Sequence, residues 1–251
     1  MATAEAMKTP VWRRGVVLLA VAAVGLAVVA LGLWELSRAR CFGLVGPVVC
    51  RVETTRPQVA LTFDDGPTAP GVEAVLPVLE AHGARATFFL IGRELAERPD
   101  LAARLAQAGH ELANHSYSHQ RMVFRMPDFY ESEVAWTEAL LRRAGPPSGL
   151  FRPPYGKRLI GLPLTLRRHG LTLVLWDVEE PATQDPQAYA REIVAQARPG
   201  SIILIHPMYR SRETARAALP LVLDGLAAKG LEVVSVGELM KGAAQPASGR
   251  R

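Results

Sequence analysis

Cysteine is scarce in this chain, with two residues in 251. So few cysteines exclude a disulfide-rich scaffold and a four-cysteine zinc site, and a bound metal would need histidine and carboxylate ligands. Lysine is also rare, with 4 lysines beside 25 arginines, and the formal net charge is only +5. An excess this small identifies no anionic partner, and we expect no nucleic-acid binding. With 49% hydrophobic and 21% charged residues, the composition is that of a globular protein.

One long hydrophobic run lies near the N-terminus. Residues 15–34 contain no charge and match the roughly 20 residues that a helix needs to cross a bilayer. Lys8, Arg13 and Arg14 precede the run, so the positive-inside rule keeps residues 1–14 in the cytoplasm. We therefore expect a single-pass anchor in the plasma membrane with the rest of the chain outside. Cleavage as a signal peptide, giving a secreted protein, is the alternative, although the exit sequence WELSRARC has no A-x-A-like site.

The chain after this run divides into three parts. We assign residues 35–55 to an extracytoplasmic linker, 56–240 to a catalytic domain and 241–251 to a disordered tail. Cys41 and Cys50 lie in the linker, where an oxidising compartment permits a disulfide; two free thiols are the alternative.

Short β-branched or aromatic runs alternate with amphipathic stretches through the catalytic domain, which predicts an α/β fold. The predicted strands are residues 58–63, 86–91, 111–114, 149–152, 171–176, 201–206 and 231–236. The predicted helices are residues 72–81, 94–108, 128–143, 159–169, 186–197 and 213–228. Seven strands with interleaved helices are typical of a barrel.

Titratable residues lie where five of the predicted strands end: Asp64 with Asp65, His115, Arg152, Asp177 and His206. In parallel α/β folds the functional site lies at the carboxyl ends of the strands. We therefore expect these side chains to meet at one shared mouth.

Two motifs at this mouth suggest metal-dependent hydrolysis. HSYSH places His115 and His119 four residues apart, which puts both imidazoles on one face if the segment is helical. Two histidines and one carboxylate form a ligand set that leaves positions open for water and substrate. TFDDGP supplies adjacent aspartates, Asp64 and Asp65, so that one can bind a cation while the other takes a proton from water. His206 is placed to protonate a leaving group.

TFDDGP, HSYSH, RPPYG at 152–156 and LIH at 204–206, in this order, resemble the polysaccharide deacetylases of carbohydrate esterase family 4. The resemblance implies a distorted (β/α) barrel and a hydrolase that removes acetyl groups, above all N-acetyl groups of GlcNAc-type residues, from a cell-wall or extracellular polysaccharide such as peptidoglycan or chitin. It also implies one divalent metal ion. Zinc is the default, and Co, Ni, Mn and Fe suit the same donors.

Two other functions stay open. The same groups would serve a metal-dependent amidase acting on a non-sugar acyl amide, and a glycan-binding protein with a dead site would carry similar motifs. The sequence does not indicate an oligomeric state.

The family's residue roles can be carried over position by position. The resemblance implies that Asp65, His115 and His119 bind the metal. It further implies that Asp64 is the general base and that Arg152 orients it. His206 would be the general acid, and the backbone N–H of Tyr155, which follows Pro154, would bind the oxyanion.

The chain departs from the family pattern in two places. It reads LWDVEEPATQDP where the family has an acidic residue followed by Asp-Trp. We expect Glu179 to be the acid that tunes His206, with Asp177 as the second choice, and Trp176 to line the substrate site. The last motif reads LIHPM, so we expect Leu204 and Met208 to shape the acetate pocket.

Overall fold

The computed structural model describes residues 11–244. Residues 1–10 of the expected cytoplasmic arm and residues 245–251 of the expected tail lie outside this range. The first element is the helix α1 (Val11–Leu36). Its segment Gly15–Leu36 has a mean hydropathy of 2.9 and is not covered by the rest of the chain. A helix this long and apolar near the N-terminus fits a membrane anchor or a signal sequence.

The remaining elements form an α/β domain. Its strands are β1 (Gln58–Asp64), β2 (Thr87–Leu90), β3 (Glu111–Asn114), β4 (Leu150–Phe151), β5 (Thr172–Leu173), β6 (Val178–Glu179), β7 (Ile202–Ile205) and β8 (Glu232–Val234). Its helices are α2 (Ala69–Ala81), α3 (Gly92–Glu97), α4 (Pro99–Gln107), α5 (Pro127–Ala144), α6 (Gly161–Arg168), α7 (Pro186–Gln196), α8 (Glu213–Ala228) and α9 (Val236–Ala244).

The strands form one parallel sheet in the order β5-β4-β3-β2-β1-β7-β6, and β8 pairs with the start of β1. The parallel strands and their helices make the distorted barrel that the sequence predicts. Successive residues of β1 face opposite sides: Val59, Leu61 and Phe63 pack with the outer helices, whereas Ala60 packs with the inner cluster. Thr62 and Asp64 share the inner parity of Ala60, which directs both polar side chains into the barrel.

Each of the seven predicted strands overlaps an observed strand. The sequence did not predict β6, which has only two residues, or α9, which continues four residues into the segment expected to be a disordered tail. The helix predicted for residues 94–108 is two helices, α3 and α4, that meet at Arg98 and Pro99. Proline has no N–H for a bond to the preceding turn, so one helix ends there and the next begins.

The segment expected to be a free linker packs against the domain. Cys41 and Cys50 form a disulfide. Val49 makes a parallel bridge to Val174, after β5, and Arg51 makes an antiparallel bridge to Ser201, before β7. This segment therefore joins the end of the edge strand β5 to the start of β7 and ties the end of α1 to the barrel.

Candidate active site

Asp65, His115 and His119 come together at the carboxyl ends of β1 and β3. Their potential ligand atoms lie within 4.8 Å of one another. Oδ1 of Asp65 is 3.3 Å from Nε2 of His119 and 3.8 Å from Nε2 of His115. Zinc bonds of about 2.0–2.2 Å in a tetrahedral site place ligand atoms about 3.4 Å apart, so the spacing fits one ion.

The protonation and burial of these groups also suit a cation. Oδ1 of Asp65 is buried and has no hydrogen-bond partner among residues 11–244. Burial, followed by the charge of His115, lowers the pKa of His119 to about 4, which keeps its imidazole neutral as a metal ligand requires. An unsatisfied buried carboxylate oxygen beside the neutral imidazole of His119 is a fitting environment for a divalent cation.

The histidine motif is a loop, so the condition under which its two imidazoles would share a helical face is not met. Ser116 and His119 have φ values of 65° and 59°, in the left-handed region. The buried carboxylate of Glu133, on α5, accepts hydrogen bonds from the backbone N–H groups of Tyr117 and Ser118 and from the Ser118 hydroxyl, at 2.7–2.9 Å. Glu133 therefore fixes the loop that carries both histidines.

The ring of His115 is oriented by the neighbouring strand. Its Nδ1 lies 2.8 Å from the carbonyl oxygen of Arg152, which fixes the ring so that Nε2 faces Asp65. A ligating histidine typically donates its second ring N–H in this way.

Asp64 is buried beside the candidate metal ligands and is paired with Arg152. Nη1 of Arg152 donates to Oδ1 of Asp64 at 2.6 Å and to the Thr62 hydroxyl at 2.8 Å. The guanidinium group also lies over the rings of Phe89 and Trp176. Oδ2 of Asp64 points the other way, 3.7 Å from Nε2 of His115. One oxygen of Asp64 is thus held by the arginine, and the other faces the candidate metal ligands.

The charge on Asp64 follows from these neighbours. Burial raises the pKa of this carboxyl, but the charge of Arg152, then those of His115 and His206, outweigh burial and lower it. Asp64 is therefore a carboxylate at neutral pH, in the state that a general base requires.

The acid that holds His206 is Glu180, rather than Glu179 or Asp177. Oε1 of Glu180 lies 2.9 Å from Nδ1 of His206, and Oε2 accepts from the His206 backbone N–H at 3.0 Å and from the Tyr189 hydroxyl at 2.6 Å. Glu179 instead pairs with exposed Arg40. We therefore correct the sequence-based choice of acid.

Strand geometry explains this correction. Side chains alternate along β6, so Asp177 and Glu179 share one side of the chain and Glu180 takes the other. Asp177 accepts hydrogen bonds from the Ser201 hydroxyl and the Ile202 N–H and braces the start of β7. A strand of two residues has no sequence pattern that reveals its register, so the two adjacent glutamates cannot be distinguished from the sequence.

The pKa values of the Glu180 and His206 pair move in opposite directions. For Glu180, burial is outweighed by the hydrogen bond and charge of His206, and its pKa falls to about 2. For His206, burial lowers the pKa, but its hydrogen bond to Glu180 and the charges of Asp64, Glu180 and Asp65 raise it overall. His206 thus favours its protonated form, as a general acid requires.

The RPPYG loop lies next to the candidate metal ligands. Pro154 is buried, and Tyr155 is exposed on a left-handed turn with a φ of 58°. The Tyr155 ring centroid is 5.0 Å from that of His119. This places the Tyr155 backbone at the mouth, where its oxyanion role stays a prediction.

The three apolar residues expected near the substrate lie below the surface of the mouth. Trp176 packs against Arg152, and Leu204 belongs to the inner core cluster. Met208 is fully buried beneath the TFDDGP turn, where an added Cβ at Gly66 would lie 3.0 Å from its side chain. All three support the mouth from within, and their effect on the substrate stays a prediction.

Glu94 and Tyr209 are further site-lining residues that the sequence did not suggest. The Tyr209 hydroxyl donates to Oε1 of Glu94 at 2.6 Å. Burial, with a contribution from the charge of Asp65, raises the pKa of Glu94. Neither residue lies in a motif that marks it, and only the tertiary fold brings them together.

Comparison with known proteins agrees with this geometry. A sequence model of the polysaccharide deacetylase family matches residues 51–174. A chitooligosaccharide deacetylase of Sinorhizobium fredii is 37% identical over 162 residues, which cover 63% of this chain and 75% of the relative. A peptidoglycan-N-acetylglucosamine deacetylase of Bacillus cereus is 34% identical over 152 residues, 59% of this chain and 55% of the relative. The chain thus spans about half the length of that Bacillus protein.

A solved structure extends the likeness to the fold. The family 4 carbohydrate esterase from Streptomyces lividans, in complex with acetate, has a TM-score of 0.66 and 34% identity, covering 72% of this chain and 93% of the esterase. The family expected from the four sequence motifs is therefore confirmed, and the chain belongs to the polysaccharide deacetylase family.

Proposed function

We propose that this protein is a metal-dependent deacetylase that hydrolyses the N-acetyl groups of GlcNAc residues in a cell-wall or extracellular polysaccharide and releases acetate. The observation that carries the proposal is the placement of Asp64, with one oxygen held by Arg152 and the other facing three metal-ligand side chains. The relatives named as chitooligosaccharide and peptidoglycan-N-acetylglucosamine deacetylases support this substrate class.

The proposed reaction uses the chain's own groups as base, acid and oxyanion donor. Asp65, His115 and His119 would hold a divalent ion, zinc by default, which when bound polarises a carbonyl and acidifies water. Asp64 takes a proton from the attacking water through its free oxygen. His206 donates a proton to the amide nitrogen as the carbon–nitrogen bond breaks, so that the products are acetate and a free amine.

Two contacts prepare these groups for their steps. Arg152 keeps Asp64 ionised before the reaction, and Glu180 keeps His206 protonated and directs its Nε2 away from the glutamate. The backbone N–H of Tyr155 is assigned to the negative charge that develops on the carbonyl oxygen, a role that contributes about 10²–10³ in rate in other enzymes.

The test is acetate release by the full chain from soluble N-acetyl chito-oligosaccharide and from peptidoglycan. Asp64→Asn should lower kcat by about 10²–10⁴, the usual contribution of a general base, while metal content stays unchanged. Asp100→Asn, at an exposed aspartate paired with Arg98, is the matched control and should keep full activity. No acetate from any acetylated glycan, with metal bound, would contradict the proposal. Higher kcat/KM on non-sugar acyl amides would identify an amidase instead.

We also propose that α1 is an uncleaved anchor that holds the catalytic domain outside the plasma membrane. The end of α1 is fastened to the domain, since the carbonyl of Ser37 accepts the backbone N–H of Arg158 at 3.0 Å. Mass analysis of the protein purified from membranes should find residues 15–34 retained. A mature chain that begins after Leu36 would show cleavage.

A further inference from the structure

Five exposed apolar side chains lie outside the catalytic machinery and are called here the apolar rim: Phe42, Leu44, Phe124, Met126 and Ile160. Their exposed fractions range from 45% to 76%. Single exposed apolar residues are ordinary on protein surfaces, whereas a contiguous group marks an interaction surface.

Two segments of the rim are adjacent, because both contact the side chain of Tyr130. Phe124 and Met126 flank Arg125, whose backbone N–H donates to the Tyr130 hydroxyl at 3.2 Å. The Tyr130 ring packs against Gly161, the residue that follows Ile160. The loop before α5 and the start of α6 therefore present their apolar residues side by side.

Arg158 brings the third segment to the same place. Its guanidinium group donates to the backbone carbonyls of Ala39, Arg40 and Phe42. Ile160 lies two residues further along the chain. The segment that leaves α1 is therefore held against the same edge of the domain.

The rim lies where the chain would leave a membrane. The apolar span ends at Leu36, and the ring centroid of Trp34, in its last turn, is 3.7 Å from Nζ of Lys157. Tryptophan is enriched at the membrane–water boundary, and lysine side chains extend their charged ends toward this boundary. An anchor fastened at Lys157 and Arg158 would hold the neighbouring rim close to the lipid surface.

The Phe124 loop and its charges point to the same environment. Phe124 has a φ of 54°, an unfavourable backbone region for a bulky residue, and it projects a 70% exposed ring. Exposed Arg121 and Arg125 lie in the same loop, with their guanidinium groups over the rings of Tyr155 and Phe129, and cations at such positions are attracted to an anionic bilayer. Asp128 opposes them, whereas Glu131 is paired with Arg168.

We propose that the apolar rim inserts into the headgroup region of an anionic phospholipid bilayer. The Arg121 guanidinium lies 4.8 Å from the Tyr155 ring centroid, and Tyr155 contacts His119, so the rim borders the candidate active site. Insertion places the mouth beside the membrane, where it meets glycan held at the membrane surface. The inference rests on the proposed anchor and on none of the catalytic assignments.

The test is a spin-label depth measurement on the full chain in vesicles of phosphatidylglycerol and phosphatidylethanolamine. Both native cysteines are in the disulfide, so a single added cysteine can be labelled. Labels are placed at Phe124→Cys in the rim, Leu26→Cys within α1 and Leu221→Cys, an exposed apolar position on α8. Met126→Cys replaces the rim label if the first variant does not fold.

Collisions with oxygen, which concentrates in lipid, are compared with collisions with a water-soluble nickel complex. We expect a several-fold higher oxygen-to-nickel ratio at Phe124 and Leu26 than at Leu221. If the label at Leu26 has a lipid-like oxygen-to-nickel ratio while the ratio at Phe124 equals that at Leu221, the inference is overturned. A Phe124 label that is shielded from both reagents also overturns it, because shielding from both indicates a protein partner. If the label at Leu26 has the ratio of a water-exposed site, α1 is not a membrane anchor and the inference is wrong. Acetate release from soluble substrate is independent of all these results.

Discussion

Replacing Glu180 by glutamine tests whether this residue sets the protonation of His206. The carboxylate lies 2.9 Å from Nδ1 of His206 and faces three donors, counting the His206 backbone N–H and the Tyr189 hydroxyl. Glutamine removes the charge, and one amide cannot accept from all three donors. Both effects lower the pKa of His206, and the burial that already lowers it remains.

The size of the change follows from the contact. An opposite charge within about 4–6 Å shifts a pKa by about 1–3 units, and because the pair is partly open to solvent we expect about 1–2 units. This corresponds to about 1.4 kcal/mol for each unit. Above the His206 pKa the protonated fraction falls tenfold per unit, so kcat of Glu180→Gln should fall about 10–100-fold there. At a pH well below the His206 pKa of both the wild type and the variant, the variant should approach wild-type activity.

The assay is the pH dependence of kcat for acetate release, with Glu179→Gln as the matched control. Glu179 is the adjacent glutamate and pairs with Arg40 on the surface, so its replacement should leave the basic limb unchanged. A basic limb that stays in place in Glu180→Gln, or one that moves equally in Glu179→Gln, would refute the reasoning.

Three further outcomes are expected. Glu133→Gln should weaken metal binding about 10–100-fold, because it loosens the loop that presents the histidines. The affinity is measured by competition with a chelating dye, and an unchanged affinity would show that the loop keeps its conformation without the Glu133 carboxylate. Arg152→Met should move the acid limb of kcat to higher pH by about 1–3 units, since Asp64 loses the cation that lowers its pKa and must ionise at higher pH; an unmoved acid limb would assign that limb to another group. The double variant with Cys41→Ser and Cys50→Ser should lose about 2–3 kcal/mol of unfolding free energy in denaturant titration, the range expected for closing a loop of this length. Adding reductant should remove the difference from wild type, and a difference that persists would point to a packing defect.

The sequence predicts the catalytic mouth well because local patterns encode it. The buried run that ends at Asp64 is a strand by composition, and parallel strands end together, so Asp64, His115, Arg152 and His206 were expected at one edge. Each of these residues lies directly after or at the end of its strand. The four motifs add their roles, since their order and wording are specific to the family.

Features set by tertiary contacts were not predictable. Glu179 and Glu180 differ only by the side of β6 that each faces, and a two-residue strand has too little pattern to reveal its register. The histidine loop has positive φ values that depend on the distant carboxylate of Glu133. The docking of residues 39–52 depends on Arg158 and the edges of the sheet, which lie more than a hundred residues away in the chain.

The central claim is that Asp65, His115 and His119 hold one metal ion that the deacetylation requires. Its most direct test is acetate release from N-acetyl chito-oligosaccharide by chelated full-length protein as zinc is added stepwise. We expect no activity without metal, a linear rise in activity up to one zinc equivalent per chain and no recovery in His115→Ala. Full activity of the metal-free protein, or none when one equivalent is bound, would contradict it.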